Sequence, residues 1–292
     1  MIKNVLLTGA GGAIGQHLAE FLINGTDYNL TFSYFTENEI PQSLKENDRL
    51  NFVIGDISKK ETLEEAFRDV DCLIHLASSV NPEKYSGDWQ GAYNFGAEST
   101  FAIMDYLKNF EMPLHILFPS SGGTVYNDSD LPHKETELVY GESPYGIQKI
   151  MFENYFRLLT KINKNITCNI LRISNVYGLH LNKNRKQGFI DISLEKIKNN
   201  EPLEIWVPLD TARDYIHIDE VCKHFAKAIE YKNGFEIFNV GSGNTTTIQD
   251  LLNKWERDFG RKIYYVVKNV EFSEYFPKTN VLNVDKIKKI KS

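Results

Sequence analysis

The sequence predicts an α/β protein: a doubly wound parallel sheet covered by helices, followed by a smaller C-terminal α/β lobe. Three observations carry this. Short apolar runs alternate with longer amphipathic stretches through the first half, as strands and covering helices do. The links between them are short, and right-handed crossovers turn such a series into one continuous sheet. Beyond about residue 177 the alternation loosens. In a sheet of this kind the ligand crevice lies at the carboxyl ends of the strands.

Each element has its own signal. KNVLLTG reads as a buried strand, and Ile14 to Asn24 has the apolar spacing of an amphipathic helix. YNLTFSYF and LNFVIGD are the second and third strands, and KETLEEAF is a helix with its acids toward the N-terminal half. DCLIHLA is a fourth strand, Gln90 to Asn109 a long helix, and LHILFPSS a fifth strand. A polar loop leads to a helix over Ser143 to Ile162 and then to the strand TCNILRI. These elements make a first domain, residues 1–176. Residues 177–292 are expected to form a smaller lobe partly interwoven with it. That lobe reads as a helix near Gly188 to Asn199, LEIWV, RDYIHI, a helix from Asp219 to Tyr231, FEIFNVG and a helix from Ile248. The chain closes on VDKIKKIKS, a basic amphipathic stretch.

Composition narrows the function classes. The 292 residues, 42% hydrophobic and 25% charged, suit one large domain or one large plus one small. A net charge of −6 lacks the footprint of a nucleic-acid binder. No apolar run approaches the ~18 residues of a membrane span, and the N-terminus enters a strand with no room for a signal peptide. Cys72, Cys168 and Cys222 are odd in number and sit in apolar elements, which reads as buried free thiols in the cytoplasm. No His/Cys/Asp cluster has metal-ligand spacing, so no metal is expected. His133, His180 and His217 read as loop or packing residues.

GAGGAIG follows the first strand and opens the first helix. Gly9 lets the chain turn off the strand, Gly12 lets backbone approach a diphosphate, and Gly15 lets the helix pack on the sheet. Amides at the helix start, around Ala13 and Ile14, then face the negative charge. Further along lie other parts of an adenine-dinucleotide track. Asp56 and Ile57 end the third strand, where a carboxylate accepts from an adenine amino group or simply caps a turn. Leu76, Ala77 and Ser78 end the fourth strand with small residues that permit close approach, and Asn94 lies in the following helix.

SPYGIQK places Tyr145 and Lys149 four apart, on one helix face. A phenol with a pKa of about 10 is a poor base at neutral pH, and a neighbouring cation favours its phenolate. Such a pair shuttles a proton to or from a hydroxyl while hydride moves at the same carbon.

Taken with GDI, HLAS, SSGGTVY, LRISNVYG, RDYIHIDEV and FNVGSGNTT, these motifs resemble, in order and spacing, the extended short-chain dehydrogenase/reductases of the nucleotide-sugar epimerase/dehydratase group. The resemblance runs from residue 1 to about 250. It implies an NAD(P)-binding Rossmann domain, a C-terminal lobe that holds a nucleoside-diphosphate sugar, and a homodimer. By position, Tyr145 matches the family's acid/base and Lys149 the lysine that binds the nicotinamide ribose. Asn175 matches a residue at the substrate's diphosphate end, and Arg213 the arginine that pairs with the diphosphate. An alternative for Arg213 is a salt bridge with Asp214 or Asp219. The sugar pocket is expected to draw on loops near Ser79 to Gly91 and Asn127 to Glu142, with Trp89 and Trp206 more fitted to packing than to stacking on a ligand.

The chain departs from the pattern at three places. Ser33 stands where NAD-preferring members carry Asp or Glu, so the loop serves NAD or NADP. Gly122 stands where relatives place the Ser or Thr that bonds the sugar hydroxyl. Thr124 is the first substitute and Ser121 the second, since strand alternation puts Ser120, Gly122 and Thr124 on one face. Gly123 and Thr124 occupy the places of the dehydratases' acid pair, which argues against dehydration. Finally, the family's C-terminal GW-P segment is missing, and Lys278 is the best stand-in for a second phosphate-binding arginine. Two enzymatic readings follow: a 4-epimerase first and a 4-keto reductase second. A catalytically dead, cofactor-sensing protein is the reading from another class.

Overall fold

A computed structural model describes residues 2–77, 89–127, 130–180, 188–268 and 277–290, with only the backbone described over 89–96. In chain order the first half reads β1 Asn4–Thr8, α1 Ala13–Gly25, β2 Asn29–Tyr34, α2 Gln42–Lys45, β3 Leu50–Ile54, α3 Lys60–Ala66 and β4 Cys72–His75. There follow α4 Trp89–Leu107, β5 Leu114–Ser121, α5 Pro144–Ile162 and β6 Ile166–Ile173. The second half adds β7 Asn175–Tyr177, α6 Phe189–Lys198, β8 Leu203–Ile205, β9 Ala212–His217, α7 Ile218–Glu230 and β10 Phe235–Val240. It ends with β11 Thr245–Thr247, α8 Ile248–Phe259, β12 Tyr265–Val267, β13 Thr279–Asn280 and α9 Asp285–Lys288.

Seven strands form one parallel sheet in the order β10-β6-β5-β4-β1-β2-β3. The doubly wound parallel sheet is thus the architecture. Its strands read as unbroken apolar runs because helices cover both faces, and all of β4 is buried. One apolar layer joins α1, α7 and the C-terminal residues Leu282, Val284, Ile287 and Ile290 to the sheet. The other packs α3, α4 and α5 against its opposite face. Between β1 and β4 the winding reverses direction, which opens a crevice at their carboxyl ends.

The smaller lobe has its own core of Ile190, Ile197, Leu251, Leu252 and Trp255, closed by Leu203 and Ile205. A mixed sheet, β11-β9-β13 with β7 on β9, carries it to the crevice. FEIFNVG and the helix after RDYIHI, however, join the large sheet as β10 and α7. The C-terminal stretch is basic on one side only: Lys286 bonds Glu236 at 2.7 Å while Ile287 is fully buried. Asp214, completely buried, ties these parts together by accepting from the amides of Ser242 (2.8 Å), Gly243 (3.1 Å) and Leu282 (3.3 Å).

Candidate active site

The glycine loop makes the floor of the crevice. Gly9 has φ +73, a conformation open to glycine, and a side chain there would stand 2.7 Å from the Ala77 amide. Gly12 donates to the Gly9 carbonyl at 3.0 Å and caps α1, so the first amides of that helix face outward. This cradle, closed to a β-carbon at Gly9 and Gly15 and rich in amides, fits a dinucleotide diphosphate. Behind it, Ala77 N donates to Thr8 Oγ1 at 3.3 Å, and Thr8 shares a 2.7 Å hydrogen bond with His75 Nδ1. His75 Nε2 in turn meets Thr100 Oγ1 at 3.0 Å. Burial, then the charge of Lys149, pushes the His75 pKa down to about 3, so the ring stays neutral.

A cleft of about 740 Å³ rises from this floor. Tyr145 and Lys149 project into it from the first turns of α5, whose start is fixed by the Ser143 side chain accepting from Gly146 N at 3.1 Å. Lys149 is buried, donates to the Pro119 carbonyl at 2.9 Å, and lies 5.5 Å from the centre of the Tyr145 ring. Desolvation lowers its pKa to about 8, against the pull of Glu153.

Ser121 and Thr124 also line the cleft. Strand parity fails between them, because β5 ends at Ser121 and the chain turns: Thr124 and Val125 both donate to the Ser121 carbonyl. Gly122 faces the other way. A β-carbon there would stand 2.6 Å from Leu282 Cδ1 and 3.1 Å from the Arg172 carbonyl, so the C-terminal segment occupies the space a side chain needs. Thr124 Oγ1 is buried and has no hydrogen-bond partner among the described residues.

The opposite wall comes from the smaller lobe. Asn175 reaches the cleft from β7 and donates to the Asp214 carbonyl at 3.1 Å. Arg213 reaches it from β9, and its Nη1 donates to the carbonyls of Ala212 (2.9 Å) and Lys278 (3.1 Å). The two carboxylates weighed as its partners are engaged elsewhere, Asp214 as described and Asp219 with His217 at 3.3 Å. Lys278 pairs with Asp210. Trp206 overturns the expectation of a packed indole: it is 54% exposed and lines the cleft, while Trp255 is the packed one.

Other expected residues lie outside this cleft. Ser33 is buried within β2, one residue before its end. Asp56 caps a turn, accepting from Ser58 N at 2.9 Å with Lys59 at 3.6 Å; these contacts hold its carboxyl below the usual range. Ile57 is buried beside it. Leu76, by contrast, does line the cleft, as do Ala13 and Ile14. Ser78, the loop from Ser79 and the side chains of Trp89 and Asn94 lie outside the described residues.

A buried polar network behind the cleft went unseen in the sequence. Arg172 bonds Glu153, one turn beyond Lys149, with Nη2 to Oε2 at 2.6 Å and Nε to Oε1 at 3.1 Å. Ser120 donates to the same carboxylate. Arg172 also donates to Tyr126 Oη at 2.9 Å, which donates to Asn239 at 2.7 Å. Apolar flanks in LRIS and FNVG hid these polar residues.

The chain is similar to known proteins in sequence and fold. Residues 5–241 match the family described as NAD dependent epimerase/dehydratase. A dTDP-4-dehydro-6-deoxyglucose reductase of Escherichia coli is 33% identical over 271 residues, covering 89% of this chain and 83% of the relative. A putative UDP-glucose 4-epimerase of Methanocaldococcus jannaschii is 31% identical, covering 88% and 82%. Among solved structures, the UDP-glucose 4-epimerase of Thermotoga maritima with UDP-glucose superposes with a TM-score of 0.85 at 25% identity, covering 98% of this chain and 91% of that one. The UDP-glucuronic acid 4-epimerase of Bacillus cereus, in complex with UDP-glucuronic acid and NAD, gives 0.85 at 24%, covering 98% and 92%. Glycine cradle, tyrosine–lysine helix and matching sequence together place the chain in the NAD-dependent epimerase/dehydratase family of nucleotide-sugar enzymes.

Proposed function

We propose that the chain is a nucleotide-sugar 4-epimerase. The observation that carries this reading is convergence: Tyr145, Lys149 and Arg213 open on the same cleft as the glycine cradle. Bound NAD supplies the acceptor and donor of hydride. Tyr145 takes the proton of the sugar C4 hydroxyl and returns one on the reverse step, with Lys149 holding its phenolate. Arg213 and Asn175 hold the diphosphate, which fixes one end of the substrate while the sugar turns. Thr124, then Ser121, offers the hydroxyl that bonds the sugar.

A 4-keto reductase is the second reading, favoured by the 33% identical reductase. A cofactor-sensing protein is opposed by the placement of both Tyr145 and Lys149 in the cleft. We read the enzyme as cytoplasmic and dimeric. Ile147, Tyr155, Leu158 and Ile162 support a dimer, since they repeat along one exposed stripe of α5.

The deciding experiment offers UDP- and dTDP-hexoses and their 4-keto derivatives with NAD(H) or NADP(H), following products and cofactor absorbance together. A C4 epimer formed without net cofactor oxidation supports the epimerase. Stoichiometric loss of reduced cofactor with a 4-keto sugar gives the reductase. Tyr145→Phe is expected to lower turnover by at least ~10²-fold in either case.

A further inference from the structure

The second strand ends without the carboxylate expected for NAD, yet a carboxylate reaches that end from elsewhere. β2 stops at Tyr34, whose ring lies against the glycine loop: a side chain at Gly11 would stand 3.5 Å from Tyr34 Cε1. The next backbone amide, that of Phe35, donates to Glu39 Oε2 at 3.2 Å. A short 3-10 turn over Glu37–Glu39 brings that side chain back to the strand end. Neighbouring cations are already matched. Lys45 pairs with Glu37 at 3.1 Å, and Lys59 with Asp56 at 3.6 Å and Glu98 at 3.8 Å. Glu39 has no ion-pair partner among the described residues, so its negative charge stands uncompensated at the end of β2.

We propose that Glu39 makes this site select NAD over NADP, replacing the acid that Ser33 lacks. The inference rests on the family's cofactor site, in which the adenosine ribose lies at the carboxyl end of the second strand. There a free amide just past the strand would suit the 2′-phosphate of NADP. In this chain a carboxylate already holds that amide. A 2′-phosphate brings close to two negative charges against it, whereas the neutral 2′-hydroxyl of NAD can donate to it.

The test measures dissociation constants of NADH and NADPH by fluorescence titration, without any sugar. The wild-type protein is expected to favour NADH by about tenfold or more, with the gap narrowing as salt rises. Glu39→Gln keeps an acceptor for the Phe35 amide and removes the charge. It is expected to tighten NADPH by about tenfold and to change NADH by less than about threefold. Glu37→Gln, beside it, is expected to leave the ratio alone. Equal binding of both nucleotides by wild type, or parallel changes in Glu39→Gln, overturns the proposal and leaves the cofactor site standing. Failure of wild type to bind either nucleotide overturns both.

Discussion

Arg172 and Arg213 lie in strands that reach one cleft, and the fold treats them in opposite ways. Arg172 is 2% exposed and meets Glu153 through three hydrogen bonds of 2.6 to 3.2 Å, with Tyr126 on its remaining face. Burial alone would depress its pKa, but Glu153 outweighs burial and raises it. Arg213 is only half-buried and finds only backbone carbonyls among the described residues, and desolvation lowers its pKa. The first charge is neutralised from within and joins α5, β6 and the Tyr126 loop. The second meets no carboxylate among the described residues. The carboxylate partner makes Arg172 part of the architecture, and the lack of one at Arg213 is what supports our proposal that it receives an anion.

Breaking the first arginine is expected to give the largest effect. Arg172→Ala leaves Glu153 buried with its countercharge gone, a loss of about 3–5 kcal/mol. Urea denaturation measures it, and a loss under about 1 kcal/mol would show that the network holds nothing together. Arg213→Ala is expected to leave the denaturation midpoint near that of wild type. Its effect belongs to substrate: about 2–3 kcal/mol in KM for the nucleotide sugar, with NAD affinity unchanged. Calorimetry that finds equal sugar-nucleotide binding would make this arginine structural too.

The same contrast explains what could be read from the sequence. That the glycine loop, the Tyr145–Lys149 pair and Arg213 would meet at one cleft was legible because short motifs mark each of them. Arg172 and Glu153 carried no such signal, for each is meaningful only through the other, and a helix and a strand crossing bring them together. Strand alternation could not place Gly122 relative to Ser120 and Thr124 for a related reason. Its surroundings are set by Leu282, a residue 160 positions later, and by a turn that ends strand alternation. The short strands β7, β11, β12 and β13 were invisible because two or three residues show no period. β10 and the C-terminal segment returned to the large sheet through contacts no spacing announces.

The smallest expected effect concerns the two hydroxyls between these walls. Ser121 is the last residue of β5, and Thr124 lies in the turn that follows. Both reach the cleft, but only Thr124 has a hydroxyl that is buried and without a hydrogen-bond partner among the described residues. Such a group is costly to leave unsatisfied, and a sugar hydroxyl meeting it would recover about 1–2 kcal/mol. Thr124→Val removes that oxygen with little change of shape and is expected to slow turnover about tenfold. Ser121→Ala is expected to cost about threefold or less, since its oxygen is not stranded in the same way. Both variants should keep the wild-type denaturation midpoint, which separates a lost substrate contact from a disturbed turn. A larger loss in Ser121→Ala would assign the sugar contact to the strand end, and would mean that the buried Thr124 oxygen serves the turn itself.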